Sequence, residues 1–141
     1  MADAFRCRVI TPEARVLDED CSSAIVPMHD GQMGFLPGRA PIVGKMGLGE
    51  LRLRFVKGGE RSYLVDDGFL QMVGGTLTVL AGRAIPAETL SVREAEAELA
   101  EATARTPKEG DALDAARVRH DRDRARAKVA LAKSVSGRGG I

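Results

Sequence analysis

The chain has 141 residues, of which 44% are hydrophobic and 29% charged, and its formal net charge is +1. This composition is typical of one folded domain of ordinary size, or of a small domain with an appendage. No apolar run approaches the roughly 20 residues of a membrane helix, and Met1 to Ile10 lack a signal-peptide core, so we expect a cytosolic protein.

Residues 1–87 alternate apolar and polar side chains with the period of two that is expected of strands burying one face. Turn signals at Lys57–Glu60 and Gly74–Gly75 predict two tight hairpins. Many short strands at close spacing predict a β-sandwich. The inward-facing sets are Phe5, Cys7 and Val9, followed by Leu51, Leu53 and Phe55.

The two cysteines, Cys7 and Cys21, have the spacing of neither a CxxC redox pair nor a metal-ligand set. Cys7 shares strand phase with Phe5 and Val9, and free cysteine is among the most buried residue types. We therefore predict that these thiols lie in the core.

The segment Gly31–Gly49 contains six glycines and two prolines between apolar residues. It predicts a tightly folded crossing in which Gly34 and Gly38 have backbone conformations that disfavour a β-carbon, at least one of them with positive φ. The Gly38–Lys45 stretch is no P-loop, because five residues rather than four separate its glycines and no hydroxyl follows the lysine. The side chains expected to be buried are Met33, Phe35, Leu36, Ile42, Val43, Met46 and Leu48.

No catalytic constellation is visible in the sequence. His29 and His120 fall in different segments, and no nucleophile accompanies either. His29–Gly31 predicts a turn, and Asp66–Gly68 predicts a polar turn before a strand rather than paired catalytic carboxylates. The residues alone therefore indicate a binding or adaptor protein.

After Pro86 the composition changes to alanine, glutamate and arginine, which are good helix formers. Ser91 and Glu94 predict a capping box, and a helix over about 91–104 follows. A second helix is predicted from Asp111 or Asp114 to about Ser134, with Gly137–Gly140 as a frayed tail. Its predicted seam consists of Ala115, Val118, Ala125, Val129 and Ala132, interrupted by Arg122.

The helical part divides its charge, with residues 88–110 summing to −3 and residues 111–141 to +4. Nucleic acid and an acidic protein surface are both partners that such a basic helix could bind. Asp121 and Asp123 interrupt the basic run, and no aromatic residue is present for base stacking, so we favour the protein partner. The basic side chains are Arg117, Arg119, Arg122, Arg124, Arg126, Lys128 and Lys133.

Read together, these segments resemble the epsilon subunit of the F-type proton-translocating ATP synthase. The resemblance rests on Gly31–Gly34, Leu36–Pro41, Gly49–Arg52, Tyr63–Leu64 before Gly68, and Thr78–Ala81 before Ala84. It implies a sandwich of about ten strands over residues 1–87 and an antiparallel two-helix hairpin over residues 88–141. It also implies a non-catalytic rotor subunit that binds the gamma subunit and rests on the c-ring.

The resemblance implies two contact sets. One end of the sandwich is expected to face the c-ring through Gln32, Pro37, Gly38 and Arg39, where Arg39 replaces a common histidine. The second helix is expected to meet the catalytic beta subunits, with alpha as a further candidate, and so to inhibit ATP hydrolysis. Its contact residues are Arg117, Arg119, Arg122, Arg124 and Arg126, which in the closed hairpin would attract Glu96, Glu98 and Glu101.

Two further departures from the family pattern are Asp67, in place of the first of two glycines, and Gly82, in place of an aspartate. Some bacterial members bind ATP through an Ile/Leu-Asp-x-x-Arg-Ala motif, but Leu90–Ala95 lacks its aspartate and arginine, so we expect no cofactor. A similar stretch, Leu113–Arg117, falls on the second helix.

The expected location is the cytoplasmic face of the bacterial inner membrane, with membrane association only through the complex. The alternative function is a free-standing cytosolic sandwich that acts as a binding or adaptor module.

Overall fold

The computed structural model describes residues 3–139. They divide into two compact units, and the boundary along the chain falls between Pro86 and Ala87. The first unit contains all the strands and the second contains both long helices.

Over the described part of the sandwich unit, residues 3–86, there are seven strands, three fewer than the ten or so expected. The strand count is lower because three strands are long enough, at 14, 14 and 11 residues, to serve both layers. The second of these, for example, pairs with one neighbour over residues 60–65 and with another over residues 69–72. The strands are β1 Phe5–Ile10, β2 Arg15–Met28, β3 Gly31–Phe35, β4 Ile42–Lys45, β5 Gly49–Phe55, β6 Glu60–Val73 and β7 Thr76–Pro86.

The strands form a closed, sandwich-like sheet. Hydrogen-bonded neighbours run in the order β1, β7, β6, β5, β2, and β2 returns to β1. β3 adds to β2, and β4 adds to β6. Every pairing is antiparallel except that of β1 with β7. The turns predicted at His29–Gly31, Lys57–Glu60 and Gly74–Gly75 connect successive strands as expected, although Gly31 and Glu60 are already the first residues of β3 and β6.

Large apolar side chains from both layers fill the sandwich interior. Cys7 and Cys21 are fully buried free thiols, as predicted. A hydrogen bond with Cys21, together with burial, raises the pKa of Cys7, so this thiol stays protonated. Other fully buried members of the core are Val9, Val26, Leu51, Leu53, Val65, Leu77 and Val79.

Asp66–Gly68 lies inside β6, so the prediction of a turn before a strand was wrong. The polar residues mark a bend within one long strand instead. Asp67 has φ 63° and Gly68 has φ 124°, both in the left-handed region that favours glycine. A β-carbon on Gly68 would overlap the Leu80 carbonyl oxygen, so β6 approaches β7 closely here.

The glycine-rich crossing is only partly constrained. Gly38 has φ 85°, as predicted, but Gly34 has no positive φ and a β-carbon there would meet nothing within 4 Å. Phe35 and Met46 are buried, whereas Leu36 and Val43 are 64% and 71% exposed, contrary to expectation. Leu36 begins the turn after β3, and Val43 points outward from β4, which pairs only with β6 among residues 3–139.

The second unit begins with a 3-10 turn, Ala87–Thr89, followed by α1 Val92–Ala104 and α2 Ala112–Gly139. Ser91 caps α1 as predicted, since its hydroxyl accepts from the Glu94 amide at 3.3 Å. α2 continues past the expected end at Ser134, because a glycine in a helix costs only about 1 kcal/mol. Gly140, in the predicted frayed tail, lies outside the described residues. No helix within residues 3–139 combines the length and apolarity that crossing a membrane requires.

Candidate docking surfaces

The residues expected to face the c-ring do not come together in the sandwich. Gln32 is the second residue of β3, beside the turn that joins β2 to β3. Pro37, Gly38 and Arg39 lie beyond the other end of β3, in the turn that leads to β4. From Gln32 to Phe35 a strand advances about 10 Å, so these residues belong to two separate regions.

The turn after β3 carries a groove of about 500 Å³. The Arg39 guanidinium lies over the Phe35 ring, 4.9 Å from its centroid, in a cation–π arrangement. Arg54 of β5 lines the same groove and also pairs with Glu60 at 3.6 Å. The groove thus combines an apolar floor with two cationic side chains, and its other lining residues include Ile25, Gly34, Leu36 and Pro37.

The opposite layer presents an apolar row on its outer face. Ile10 of β1 pairs with Leu80 of β7, and Leu80 pairs with Phe69 of β6. Phe69 and Leu80 are 56% and 49% exposed, and Val43 on the adjoining β4 also faces outward. We call Ile10, Leu80 and Phe69 the apolar row; on β4, Lys45 is the partner of Phe69 and Val43 is the partner of Gln71. Contiguous exposed apolar side chains of this kind mark protein interfaces.

An ion cluster occupies the outer face of β1 and β2. Arg6 Nε donates to Asp18 Oδ1 at 2.5 Å, and Arg8 and Arg15 lie 3.5 and 3.3 Å from the same carboxylate. The Arg6 hydrogen bond, supported by the charges of all three arginines, lowers the pKa of Asp18. Because the Asp18 carboxylate is ion-paired with these arginines, it is unsuited to acid–base chemistry.

In the hairpin unit, Arg122 has a structural role that the sequence pattern did not reveal. It donates from Nε to the Ala102 carbonyl at 3.0 Å and from Nη2 to the Thr103 and Arg105 carbonyls at 3.3 and 2.6 Å. The last carbonyls of a helix have no partner within the helix. Arg122 therefore caps the end of α1, and its position in an otherwise apolar seam is explained.

Two glutamates of α1 pair with lysines of α2 and not with the arginines we expected, and a third ion pair joins Arg105, after the end of α1, to Asp121 of α2 at 2.6 Å. Lys128 Nζ lies 2.9 Å from Glu98, and Lys133 Nζ lies 3.4 Å from Glu96. Lysine takes this role because Lys128, with only 14% of its side chain exposed, lies in the seam and needs a close counter-charge.

Of the arginines predicted to contact the catalytic head, some form ion pairs within α2 and others form none with the described residues. Arg124 pairs with Asp121, and Arg126 with Asp123, both within α2. Arg117 and Arg119 are exposed and form no ion pair with any residue in the described range 3–139. Their charge is available without breaking the hairpin.

The Leu113–Arg117 stretch that resembles an ATP motif serves the start of α2. Leu113 is 72% exposed, and the Asp114 carboxylate accepts from the Lys108 amide at 2.7 Å. Asp114 thus orders the turn before the helix. His29 and His120 lie in different units. Within residues 3–139 no three His, Cys, Asp or Glu side chains cluster as a metal site requires.

Comparison with known proteins gives a consistent result. The family model described as ATP synthase, delta/epsilon chain, β-sandwich domain, matches residues 4–87. The ATP synthase epsilon chain of Rhodopirellula baltica is 45% identical over 127 residues, covering 88% of this chain and 98% of that one.

Solved structures share the fold at low identity. A chain of the Euglena gracilis mitochondrial ATP synthase, in an OSCP/F1/c-ring structure, has a TM-score of 0.73 at 17% identity, covering 98% of this chain and 82% of that one. A chain from the central stalk/c-ring structure of the Tetrahymena thermophila enzyme has a TM-score of 0.67 at 14% identity, covering 90% of this chain and 95% of that one.

Proposed function

The chain belongs to the ATP synthase delta/epsilon family, and from this premise we propose how it works as a central-stalk subunit of ATP synthase. A stalk subunit of this family is not itself catalytic. The observation that carries the assignment is the 45% identity to an epsilon chain over 98% of that chain's length. The specific contacts and the regulatory role below are our proposals.

The sandwich binds the gamma subunit through the apolar row. Phe69 and Leu80, at 56% and 49% exposed, are neighbours across β6 and β7 and form an exposed apolar surface. An obligate partner in a rotating stalk needs an interface of this apolar character. Lys45, paired with Phe69, lies at the border of this surface.

The c-ring contact is made at the Gln32 end of β3. Gln32 is exposed next to the exposed His29–Asp30 turn, so this end presents polar groups to the polar loops of the ring. The Pro37–Arg39 turn lies in a second region of the sandwich and contributes to the c-ring contact separately from Gln32. In this arrangement the sandwich is the platform that transmits rotor torque, and its buried core forms the interior of that platform.

The hairpin acts as an inhibitory arm that reaches the catalytic beta subunits. Its buried seam is built mainly from Ala95, Ala102, Ala125 and Ala132. Each buried methyl group contributes about 0.8 kcal/mol, so the seam contributes only several kcal/mol. Two arrangements of the helices can therefore lie close in free energy, and a partner can select between them.

The charge on α2 fits an acidic surface of the catalytic head. Arg117 and Arg119 are exposed without an ion-pair partner in the range 3–139, so they present positive charge before any rearrangement. Opening the hairpin additionally releases Lys128 and Lys133 from Glu98 and Glu96. Because exposed charge pairs are weak and screened by salt, inhibition is expected to soften as ionic strength rises.

The location that follows is the peripheral F1 stalk, at the cytoplasmic face of the bacterial inner membrane. The alternative, a free-standing adaptor, would use the same apolar row for another partner. The two functions differ in what copurifies with the intact chain. A stalk subunit brings down gamma and c subunits together, and a free-standing adaptor brings down neither.

The regulatory proposal is tested by removing residues 88–141. The sandwich should remain folded and bound to gamma, because residues 1–86 form a compact unit, while ATP hydrolysis by the complex rises. Hydrolysis is measured with the full-length chain and the truncated chain at low and high salt. An equal rate in both complexes at both salt concentrations would refute the inhibitory arm.

A further inference from the structure

β3 is the outermost strand of its layer. It pairs with residues 24–28 of β2, and no other strand within residues 3–139 pairs with it. Natural proteins usually protect such an edge with charges, proline or a covering segment. β3 contains neither a charge nor a proline, and Gln32 and Gly34 are exposed. The edge is therefore open to another strand.

The pairing with β2 shows which backbone groups point outward. Gln32 lies opposite Pro27, which has no N–H, and the Pro27 carbonyl accepts from the Gly47 amide at 3.0 Å on the side away from β3. Gln32 is thus in a non-hydrogen-bonded pair, and so is Gly34, two residues on. Both residues direct their N–H and C=O groups to the free edge, whereas Met33 and Phe35 bond to β2.

The side chains around Gly34 provide a second, independent indication. A β-carbon at Gly34 would meet nothing within 4 Å, so a side chain from a neighbouring strand can lie over it. Ile25 and Leu36, 39% and 64% exposed, line the groove beside this gap.

The groove also carries a positive charge, that of Arg39, without a paired negative charge among the described residues. Arg39 is exposed over the Phe35 ring and has no acidic partner within residues 3–139. Its guanidinium carries five N–H donors in a geometry that suits a carboxylate. An approaching segment with an acidic side chain would satisfy it.

We propose that β3 accepts one additional strand from a neighbouring subunit. This segment is extended, places an aliphatic side chain opposite Gly34, and carries a carboxylate that reaches Arg39. The proposal rests on the proposed function, because it takes the partner from the same stalk assembly. A second copy of this chain fits poorly, since residues 31–39 contain no acidic side chain to meet Arg39. Main-chain hydrogen bonds give such strand addition its affinity, and the side-chain pockets give its specificity.

The first test is residue-resolved hydrogen exchange on the full-length chain, free and assembled with the gamma subunit and c-ring. The Gln32 and Gly34 amides should exchange quickly in the free chain and about 100-fold more slowly in the complex. The Met33 and Phe35 amides are internal controls and should be slow in both states. If the chain assembles and the Gln32 and Gly34 amides stay unprotected, strand addition is refuted.

The second test compares two substitutions at one position. Gly34→Pro removes an N–H that the sandwich itself does not use, whereas Gly34→Ala retains it and adds a methyl group in open space. Gly34→Ala loses only space for the partner's aliphatic side chain, whereas Gly34→Pro also loses the main-chain hydrogen bond, so we expect Gly34→Pro to bind the gamma and c-ring assembly about tenfold more weakly than Gly34→Ala. Arg39→Gln should weaken binding and reduce its salt dependence.

The possible outcomes distinguish failure of stalk assembly from failure of strand addition. A wild-type chain that does not enter the complex at all would refute the proposed function and this inference with it. A wild-type chain that enters, with Gly34→Pro binding as well as Gly34→Ala, would refute only the strand addition. Self-association of the isolated chain that Gly34→Pro abolishes, detected by sedimentation, would show instead that the edge binds a second copy.

Discussion

The sandwich and the hairpin are held together by different means. The sandwich buries large side chains from both layers, and Leu51, Leu53 and Val65 are fully inaccessible. The hairpin buries mostly alanines, together with Val118 and Leu131, and depends on a capping arginine and exposed ion pairs. Per residue, the first region gains much more apolar burial than the second.

This difference suits the roles proposed for the two regions. A platform that transmits torque needs one stable arrangement, which dense packing provides. A regulatory arm needs two arrangements that differ little in free energy, and a thin alanine seam leaves that difference small. The predictions below test whether the two regions respond to substitution as differently as their packing indicates.

The largest expected effect is that of Gly68→Ala in the bend of β6. The added β-carbon would overlap the Leu80 carbonyl oxygen, and the backbone has φ 124°, so the strand must move away from β7. We expect a loss of about 4 kcal/mol or more in the free energy of unfolding, or failure to fold. Urea unfolding of the full-length chain measures this loss.

Gly34→Ala is the matched control for Gly68→Ala, because its β-carbon meets nothing within 4 Å and its φ is not positive. It should change the free energy of unfolding by less than about 1 kcal/mol. Comparable losses in the two variants would show that the bend in β6 is not a constrained element.

The next effect in size is that of Leu53→Ala. Leu53 is fully buried between the layers, and shortening such a side chain costs about 2 to 5 kcal/mol. Leu113→Ala, at a hairpin position that is 72% exposed, should cost less than about 0.5 kcal/mol. Thermal unfolding followed by a sandwich probe, such as Tyr63 fluorescence, compares them, and similar losses would contradict the assignment of the core.

Arg122→Ala tests the hairpin directly. Removing the guanidinium leaves the Ala102, Thr103 and Arg105 carbonyls without this donor, at a cost of about 1 to 2 kcal/mol in a partly exposed site. Hydrogen exchange should become faster throughout α1 and α2 while the sandwich amides are unchanged. Arg122→Lys keeps the charge but not the planar fork of donors, so it should restore only part of the protection. If sandwich exchange rises as well, the effect of Arg122 is not confined to the hairpin.

Much of the fold could be predicted from the sequence because its signals are local. The period of two over Phe5–Val9 and Leu51–Phe55, the capping box at Ser91 and the glycine pair at Gly74 each act over a few residues. The number of strands could not be predicted, because three long strands belong to both layers. In one of them the Asp66–Gly68 bend resembles a turn in sequence and is distinguished from one only by its pairing with β7.

The candidate surfaces were harder to predict for a related reason. Leu36 and Val43 are apolar in a segment rich in buried residues, and only the strand edges place them outside. The role of Arg122 depends on where α1 ends relative to α2, which is a tertiary relationship. A signal was nevertheless present, because an arginine that interrupts an alanine seam requires hydrogen-bond acceptors nearby.

The smallest expected effect concerns the ion cluster on the sandwich surface, where Asp18→Asn removes the carboxylate shared by Arg6, Arg8 and Arg15. The pKa of Asp18 is lowered, chiefly by the Arg6 hydrogen bond, so the ionised carboxylate favours the folded state. Its contribution is complete above the ordinary aspartate pKa of about 3.9 and is lost as the pH falls through the lowered value. Melting temperatures of wild type and Asp18→Asn should therefore differ slightly at pH 7 and converge in strong acid. Exposed pairs contribute little, so this difference should be far smaller than that for Leu53→Ala. A difference that persists unchanged into strong acid would show that Asp18 acts through packing and not through its charge.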